Sequence, residues 1–326
     1  MKKVTNQRLT SYFFLAINTI TWGLALVIVK PGLEFTTPFR YLLYRYLLAA
    51  VFSVPILLYY LPKVKKKLKA VKKIIFVEFF GTALALGLLY IGLSKTTAIE
   101  ASFITTTTPI FVVLAGIIYL KEKVEKHEWL GLSIAFFGTL LLTLFPVILN
   151  GMTPTGLSLE GNIFIILQNI ATAIAMVLAK KHYKKLPKLF VTSISFYFGI
   201  VVFGLLSLGD LLYSGATSIS EAVPQLISVI YTDFTHQSVW VAALYMAIFG
   251  SIIGLTAYIK GQDGIEASEA SLFWYLQPLV FVPAGLIFLH ETIHPIQIVA
   301  MIIIFSGVYI AERRTKKRRS SSKKKA

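Results

Sequence analysis

Cysteine is absent from the 326 residues of this sequence, and only 15 residues are acidic. The absence of cysteine excludes disulfides, thiolate metal ligands and cysteine nucleophiles. Walker loops, GxSxG elbows and dinucleotide-binding glycine motifs are also missing, so the sequence offers no basis for nucleotide-driven pumping by this chain alone. Of five histidines, only His290 and His294 have a metal-like spacing, and no third ligand accompanies them. We therefore expect neither a cofactor nor a metal.

Hydrophobic residues dominate what is present: they make up 56% of the chain, and the mean hydropathy is +0.74. A bilayer core about 30 Å thick needs roughly 20 apolar residues per helical crossing. Ten such windows predict an all-α integral membrane protein with ten transmembrane helices. The predicted spans are 11–29, 38–60, 74–93, 98–120, 128–149, 160–179, 189–209, 239–259, 266–289 and 294–312.

Basic residues fix the predicted orientation of these spans. The chain has 32 Lys and Arg residues, and most fall in alternate connections on one side of the predicted spans. Lys and Arg in short loops stay in the cytoplasm, so both termini are predicted to be cytoplasmic. The basic tail is interpreted as an anchor to anionic lipid rather than a nucleic-acid site.

Two parts of the chain repeat each other. A shift of 169 residues aligns 100–102 with 269–271, Pro109 with Pro278, Gly116 with Gly285 and Glu122 with Glu291. A shift of 151 residues aligns Asn18 with Asn169 and Thr21 with Thr172. Five spans per copy is an odd number, so the copies must face opposite ways, as in secondary transporters that open one midplane site to either side. The sequence predicts two inverted five-helix repeats around a central cavity.

The predicted segments follow from the spans and the repeat. They are a cytoplasmic N-terminus 1–10, a first five-span repeat 11–149, a linker 150–159, a second five-span repeat 160–312 that contains an external loop at 210–238, and a basic cytoplasmic tail 313–326. The segment 218–231 has apolar positions that suit either a helix lying on the outer surface or a loop collapsed onto the bundle.

Spans four and nine carry aligned segments, EASFITTTTPIFVVLAG at 100–116 and EASLFWYLQPLVFVPAG at 269–285. A proline inside a span removes a backbone donor and frees a carbonyl, which lipid tolerates only beside protein or a wet cavity. Pro109 and Pro278 are therefore candidates for helix breaks that take part in gating.

The polar residues beside these prolines are candidate solute-binding residues. Thr105 and Thr107 either allow close helix packing or present hydroxyls to a cavity. Trp274, Tyr275 and Gln277 are predicted to line the cavity, because a mid-span amide needs a polar partner.

A further set of candidates lies in the other spans. Asn18 and Trp22 fall within one turn of span one, and Asn169 and Thr172 lie at the matching depth of span six. A polar stripe that recurs at matched depth points inward rather than to lipid. Tyr90, deep in span three, joins this set.

Two charged residues fall inside predicted spans. Arg45 lies about 10 Å inside span two, so its charge needs a carboxylate, a carbonyl or water. It is interpreted either as a structural, snorkelling arginine or as a contact to the solute. Glu78 lies near the start of span three, and its role is either a salt bridge at the headgroup level or proton coupling.

The order and spacing of these motifs resemble EamA-type members of the drug/metabolite transporter superfamily. The likeness spans about residues 11 to 312 and rests on the duplicated ten-span layout, TWGLALVIVK in span one, RYLLAAVF in span two and the paired Pro-x6-Gly-x5-Glu segments. The resemblance implies a ten-helix bundle with a central cavity that moves small metabolites across a prokaryotic inner membrane, often outward.

The predicted function is secondary transport, by alternating access, of an amino acid or a related polar or aromatic solute, in the direction of export. The expected partners are this solute and membrane lipids, with possible proton coupling and no nucleic acid. Two alternatives remain open: an integral-membrane enzyme acting on a lipid or isoprenoid-linked substrate, and a membrane scaffold without transport. An enzyme of that kind would need acidic or histidine residues clustered at one membrane face.

Overall fold

A computed structural model describes most of the chain. The described residues are 2–64, 67–95, 101, 104–105, 107–121, 124–149, 159–184, 186–266, 269–270, 272–288 and 295–312. The predicted linker, apart from Leu159, and the predicted basic tail lie outside them, as do Thr106, His290 and His294.

The described residues form helices, with no strand among them. Their bounds are α1 Lys2–Val29; α2 Pro38–Tyr60; α3 Lys67–Glu78, continued by Phe79–Leu86 and Gly87–Lys95; α4 Thr108–Ala115, continued by Gly116–Leu120; α5 Lys126–Leu149; α6 Leu159–His182; α7 Lys188–Tyr213; α8 Ile219–Phe234; α9 Gln237–Tyr245, continued by Met246–Leu255 and Thr256–Gly261; α10 Pro278–Phe288; and α11 Pro295–Glu312. Short 3₁₀ turns lie at Lys30–Glu34, Leu61–Lys63, Gln262–Gly264 and Leu272–Leu276.

Membrane-length helices make up most of this structure. Six stretches, which contain most of α1, α2, α3, α6, α7 and α9, are long and apolar enough to cross a membrane. Shorter apolar stretches lie in α4, α10 and α11. In hydrocarbon every backbone N–H and C=O must be satisfied within the protein, and a helix does this locally. The prediction of an all-α protein with membrane-length helices is confirmed for the described residues.

Spans four and nine, predicted as apolar windows with candidate helix breaks at Pro109 and Pro278, are interrupted in the structure. Helix α4 begins at Thr108, after a turn at Thr107, and α10 begins at Pro278, after a 3₁₀ turn. The N–H of Thr107 donates to Ile104 O at 3.0 Å, and the N–H of Gln277 donates to Trp274 O at 3.1 Å. Proline disfavours the α conformation in the residue before it, so both helices restart at or beside their proline.

Helices α3 and α9 each contain a π-helical segment, Phe79–Leu86 and Met246–Leu255. The 169-residue shift aligns them: residues 80–82 read FGT and residues 249–251 read FGS. Segments of this kind are rare and occur often at functional sites. A carbonyl of the α9 segment also accepts a hydrogen bond from α1: Trp22 Nε1 donates to Gly250 O at 2.9 Å.

Glycine allows the helices to approach closely at two crossings. A Cβ atom added to Gly307 of α11 would lie 2.5 Å from Ala135 N and 2.6 Å from Gly131 O of α5. A Cβ atom added to Gly199 of α7 would lie 2.7 Å from the Tyr46 ring of α2. Small residues at such crossings replace the hydrophobic driving force that helices lack in lipid.

The predicted external loop contains helix α8, so a helix rather than a collapsed loop occupies 219–234. Its last turn is fastened to the start of α2 by the buried carboxylate of Asp233. This group accepts from Thr36 Oγ1 at 2.5 Å, Tyr44 Oη at 2.6 Å and Arg40 Nε at 3.1 Å. A buried acid with three donors, one of them cationic, is fully paired and holds α8 against the bundle.

Candidate functional site

A cavity of about 190 Å³ lies between α1, α2, α3, α6, α9 and the segment before α10. Eight of the residues predicted from sequence line it: Trp22, Arg45, Glu78, Tyr90, Thr105, Thr172, Trp274 and Gln277. The rest of the lining is mostly apolar, with a few hydroxyls and amides. Arg45 and Glu78 are the charged residues among the described part of the lining.

Arg45 is a buried cation whose described partners are neutral. Its Nη1 donates to Tyr90 Oη at 3.3 Å and its Nη2 donates to Ser251 Oγ at 3.0 Å. The guanidinium also lies over the Tyr46 ring, 5.1 Å from the centroid. Nε has no hydrogen-bond partner, and no carboxylate of a described residue lies within 4.0 Å of the guanidinium. The group is therefore held in place with no carboxylate of a described residue to compensate its charge.

Glu78 is a buried acid whose described partners are hydroxyls. Thr82 Oγ1, one turn along α3, donates to Oε2 at 2.5 Å, and Tyr183 Oη donates to Oε1 at 2.8 Å. The Ser195 hydroxyl of α7 also interacts with this carboxyl group. A headgroup-level salt bridge was one sequence interpretation, but no Lys, Arg or His among the described residues pairs with Glu78.

Three aromatic rings form one wall of the cavity. Trp22 stacks on Tyr258 with ring centroids 5.6 Å apart and meets Trp274 edge to face at 5.6 Å. The rings contact one another, so they form one continuous aromatic surface. Trp274 Nε1 is buried and has no hydrogen-bond partner.

Helix α6 contributes a face that the sequence interpretation only partly identified. Gln168 Nε2 donates to Thr172 Oγ1 at 2.7 Å, while Gln168 Oε1 is buried without a partner. Gln168, Thr172, Ala175 and Ala179 line the cavity at helical spacing. Gln168 was not among the residues predicted from sequence. Its position one turn before Thr172 in an apolar helix was the signal that could have identified it.

Asn169 and Thr107 do not line the cavity but fix the break before α4. Asn169 Nδ2 donates to Ile104 O at 2.6 Å and to Thr107 Oγ1 at 2.9 Å. Asn169 Oδ1 accepts from Thr108 Oγ1 at 2.7 Å. The buried amide thus satisfies backbone and hydroxyl groups that the turn at Thr107 leaves outside the helix.

Asn18 and Tyr275 also lie away from the cavity lining. Asn18 Nδ2 donates to Gly254 O of the α9 π segment at 3.1 Å. Tyr275 points into a separate apolar cluster that includes Val113, Leu132 and Ala135. In a 3₁₀ turn, adjacent side chains diverge, which is why Trp274 reaches the cavity and its neighbour does not.

The two predicted gating prolines lie at the helix starts. Pro109 is buried at the beginning of α4, and Pro278 follows Gln277 at the beginning of α10. The cavity therefore borders two interrupted helices as well as the π-helical segments of α3 and α9. Chemically, its lining can bind charge and hydrogen-bonding groups, and its described residues include no histidine and no pair of carboxylates.

The sequence pattern of the EamA-like transporter family matches residues 9–144 and again residues 159–312. The chain belongs to the EamA-like transporter family. Both matches contribute to the cavity: Arg45 and Glu78 come from the first, and Gln168 and Trp274 come from the second. This EamA protein is accordingly a multi-pass membrane protein of a transporter family.

Similar proteins are known from bacteria and archaea. The "Uncharacterized transporter YetK" of Bacillus subtilis (strain 168) is 24% identical over 94% of this chain and 88% of its own. An "Uncharacterized transporter" of Archaeoglobus fulgidus is 23% identical over 93% of this chain and 99% of its own. A "Probable amino-acid metabolite efflux pump" of Salmonella typhimurium is 22% identical over 91% of this chain and 93% of its own.

A solved crystal structure shares the fold. It aligns with a TM-score of 0.67 at 13% sequence identity and covers 94% of this chain and 96% of its own. At that level of identity the likeness shows the fold alone.

Proposed function

We propose that this EamA protein is a secondary transporter that exports a small metabolite, an amino acid or a related polar or aromatic solute. The observation that carries the proposal is the cavity of about 190 Å³, which contains two buried and oppositely charged side chains, Arg45 and Glu78. Ionisable residues inside a membrane are costly and mark substrate or ion pathways by default. The name of the Salmonella relative supports the class of solute.

Alternating access between two inverted five-helix repeats is the proposed mechanism. The family pattern that matches twice supports it, as do the aligned FGT and FGS of the π segments. Ten crossings would need α4 and α10, together with the residues before them, to complete two interrupted spans. Interrupted helices around a midplane site are the usual construction of such transporters.

The proposed location is the inner membrane of a prokaryotic cell, with both termini in the cytoplasm. The lysine-rich end of the bundle, where α2 ends at Tyr60 and α3 begins at Lys67, would then face the cytoplasm. The opposite end, where α3 ends at Lys95 and α6 begins at Leu159, would face outward.

Glu78 is the proposed proton-coupling residue. It faces Thr82 on its own helix, Tyr183 on α6 and Ser195 on α7, and the titratable Tyr46 lies nearby on α2. No cation among the described residues is paired with it. An acid that borders the solute cavity without a fixed counter-ion can exchange a proton with the pathway.

Transport by the purified protein in liposomes tests the proposal. Counterflow of labelled amino acids, amines and nucleotide sugars is measured with and without a pH gradient. At least one amino acid or related solute should exchange, and Trp274→Ala and Gln277→Ala should slow that exchange. We expect a loss of roughly 10-fold or more, because each substitution removes a buried contact to the solute.

Trp240→Ala is the matched control, because Trp240 is half-exposed on α9 and is not part of the cavity lining. It should exchange solute at the wild-type rate. Trp274→Phe keeps an aromatic ring and separates loss of contact from loss of folding. If no solute exchanges with correctly folded protein, the transporter proposal fails.

A further inference from the structure

Three buried polar atoms of the cavity lining have no hydrogen-bond partner among the described residues. They are Arg45 Nε and Trp274 Nε1, which are donors, and Gln168 Oε1, which is an acceptor. The three side chains are each no more than 5% exposed. Buried polar groups are nearly always paired. Three unpaired atoms in one cavity therefore indicate that a bound molecule supplies their partners.

We infer that Arg45, Trp274 and Gln168 form a head-group site for a solute whose carboxylate and ammonium lie on one carbon atom, with an apolar or aromatic body. This inference rests on the proposed transport function and specifies which solutes the cavity accepts. Gln168 becomes a specificity-determining residue of the site, and Trp274 has a polar as well as an apolar role.

The depth of Gln168 in the bundle follows from the contacts between α3 and α6. Helices α3 and α6 are antiparallel neighbours: a Cβ atom on Gly92 would lie 2.9 Å from Gly161 O, and one on Gly81 would lie 3.1 Å from Ala175 Cβ. Gln168 is midway between these two contacts. It is therefore level with the part of α3 that is one turn from Tyr90, the partner of Arg45.

Trp274 is connected to the same region through α9. Ser251 of the π segment accepts from Arg45, and its neighbour Gly250 accepts from Trp22 Nε1 at 2.9 Å. Trp274 then meets Trp22 edge to face at 5.6 Å. Arg45 and Trp22 therefore bond to neighbouring residues of α9, and Trp274 lies against Trp22.

The donors favour a carboxylate over other anions. Among the described residues that line the cavity Arg45 is the only cation, so the site balances one negative charge and suits a monoanion better than a phosphate dianion. A planar guanidinium matches a planar carboxylate, and an indole N–H can donate to its second oxygen. Compensation of this buried charge is the main source of affinity.

The acceptor and the aromatic wall define the rest of the solute. Gln168 Oε1 needs a donor, which an ammonium group on the same carbon as the carboxylate supplies. Trp22, Tyr258 and Trp274 offer an apolar surface to the side chain. Glu78 lies about two helical turns along α3 from the level of Gln168, beyond most of the π segment, and is assigned to the proton instead of the head group.

A ligand series that removes one group at a time tests the inference. Phenylalanine, 3-phenylpropionate and phenethylamine share one body but carry both charges, the carboxylate alone or the ammonium alone. Their competition is measured against the labelled solute that exchanges best in liposomes. Phenylalanine should compete best, and phenethylamine should be weaker by roughly 10- to 100-fold, the range of one charge-assisted hydrogen bond.

Variants assign each group to its residue. Gln168→Leu should make phenylalanine and 3-phenylpropionate equal, because the acceptor for the ammonium is gone. Arg45→Gln should remove the advantage of carboxylated ligands, and Arg45→Lys should restore part of it. Arg40→Gln is the matched control, since Arg40 is also on α2 but pairs with Asp233 outside the cavity.

The outcomes separate this inference from the proposed function. If phenethylamine competes as well as phenylalanine, or if none of the three competes while another solute exchanges, the head-group site is wrong and transport stands. In that case water fills the three unpaired positions. If no solute exchanges at all, both proposals fail.

Discussion

The two EamA segments of this chain carry closely similar short sequences, FGT and FGS, in equivalent helices. The hydroxyl of each sequence contacts a side chain of opposite charge. In α3 the FGT hydroxyl, Thr82, donates to Glu78 one turn before it. In α9 the FGS hydroxyl, Ser251, accepts from Arg45, which comes from the other segment. A hydroxyl can both donate and accept. The same repeated position can therefore bind a carboxyl group in one segment and a guanidinium group in the other.

The charges themselves are not repeated. The 169-residue shift aligns Glu78 with Ala247, and the 151-residue shift aligns Arg45 with Phe196. Among the described lining residues, the first segment therefore supplies both charges and the second supplies both amide side chains, Gln168 and Gln277. Duplication accounts for the helix interruptions and the π segments, and substitutions within one copy account for the polarity of the site.

The largest effect should follow from moving the acid to its equivalent position. Ala247 is fully buried in a cluster with Tyr41, Val29 and other apolar side chains. Ala247→Glu places an unpaired charge there, which costs about 3–5 kcal/mol. We expect most of the protein to be lost from the membrane and the remainder to melt at a much lower temperature, as measured by fluorescence size-exclusion chromatography.

Ala247→Ser, of similar size but uncharged, is the control and should fold nearly normally. The double variant Glu78→Ala, Ala247→Glu should not regain gradient-driven transport. If it does, the two segments are interchangeable, and the contrast drawn between them is wrong.

Neutralising Glu78 in place should have the next largest effect. Glu78→Gln keeps the shape and a hydrogen-bonding oxygen for Tyr183 but cannot release a proton. Uptake driven by a pH gradient should fall roughly 10- to 100-fold, comparable to the loss of one charge-assisted interaction. Counterflow without a gradient should persist, because the proposed head-group site lies elsewhere in the cavity.

Glu78→Asp should retain part of the gradient-driven rate. The control is Glu221→Gln, which removes an exposed acid from α8. If Glu78→Gln lost counterflow and gradient-driven uptake equally, Glu78 would bind the solute rather than carry the coupled proton.

Much of the architecture was predictable from the sequence because lipid restricts the backbone to helices. Apolar runs therefore located the long helices, and the break at each proline followed from its missing N–H, although the extent of the breaks at Thr107 and Gln277 did not. The π segments were not predictable, since their sequence resembles any apolar helix. They depend on tertiary contacts, such as the bond from Trp22 to a freed carbonyl.

The site was predictable where a polar residue is unusual for its depth. Arg45, Glu78 and Gln277 were identified in this way, and all three line the cavity. Asn169 met the same criterion but satisfies the α4 break. Sequence shows that a buried polar group needs a partner, but not whether protein or solute supplies it. Only the distances from the polar group to its neighbours in the structure show whether protein already supplies the partner.

Glycines that repeat between the segments should tolerate substitution unequally. A Cβ atom on Gly307 would meet backbone atoms of α5, with Ala135 N at 2.5 Å. A Cβ atom on its repeat partner, Gly138, would meet the Ile303 and Ile304 side chains at 2.9 Å and Ile304 N at 3.0 Å, which is a less severe backbone clash than that at Gly307. We expect Gly307→Ala to cost about 2–3 kcal/mol and Gly138→Ala about 1 kcal/mol, within the overpacking range.

Thermal unfolding of the two variants in detergent measures this difference. Gly209→Ala is the control, because a Cβ atom there meets nothing within 4 Å. Equal melting temperatures for the Gly307 and Gly138 variants would show that α5 and α11 adjust symmetrically.

Removing the repeated hydroxyls should have smaller and different effects. Ser251→Ala leaves Arg45 without one acceptor, and a hydrogen bond of this kind contributes about 1 kcal/mol. Solute affinity should fall roughly 5-fold with little change in gradient dependence. Thr82→Val should alter gradient-driven uptake and leave affinity unchanged, since Thr82 contacts Glu78. The same phenotype in both variants would remove the functional distinction between the hydroxyls.

The smallest effect belongs to α8, which occurs only in the second segment. Glu221 in its first turn accepts from the backbone N–H of Thr217 at 2.9 Å and from Thr217 Oγ1 at 2.8 Å. The backbone bond, and then the hydroxyl bond, lower the pKa of Glu221 below its usual value. A lowered pKa means that the carboxylate stabilises the folded end of α8 above its unfolded pKa, and that this contribution is lost as the pH falls through the folded pKa.

Hydrogen exchange of the first turns of α8, corrected for intrinsic rates, measures this contribution from neutral to acidic pH. Protection should decrease on acidification in the wild type, whereas Glu221→Gln should be less protected at neutral pH and change little. The melting temperature of the whole protein should stay the same, because Glu221 is exposed and Asp233 holds the other end of α8. Equal pH dependence in both proteins would mean that Asp233 alone orders the helix, and that the carboxylate of Glu221 has no part in it.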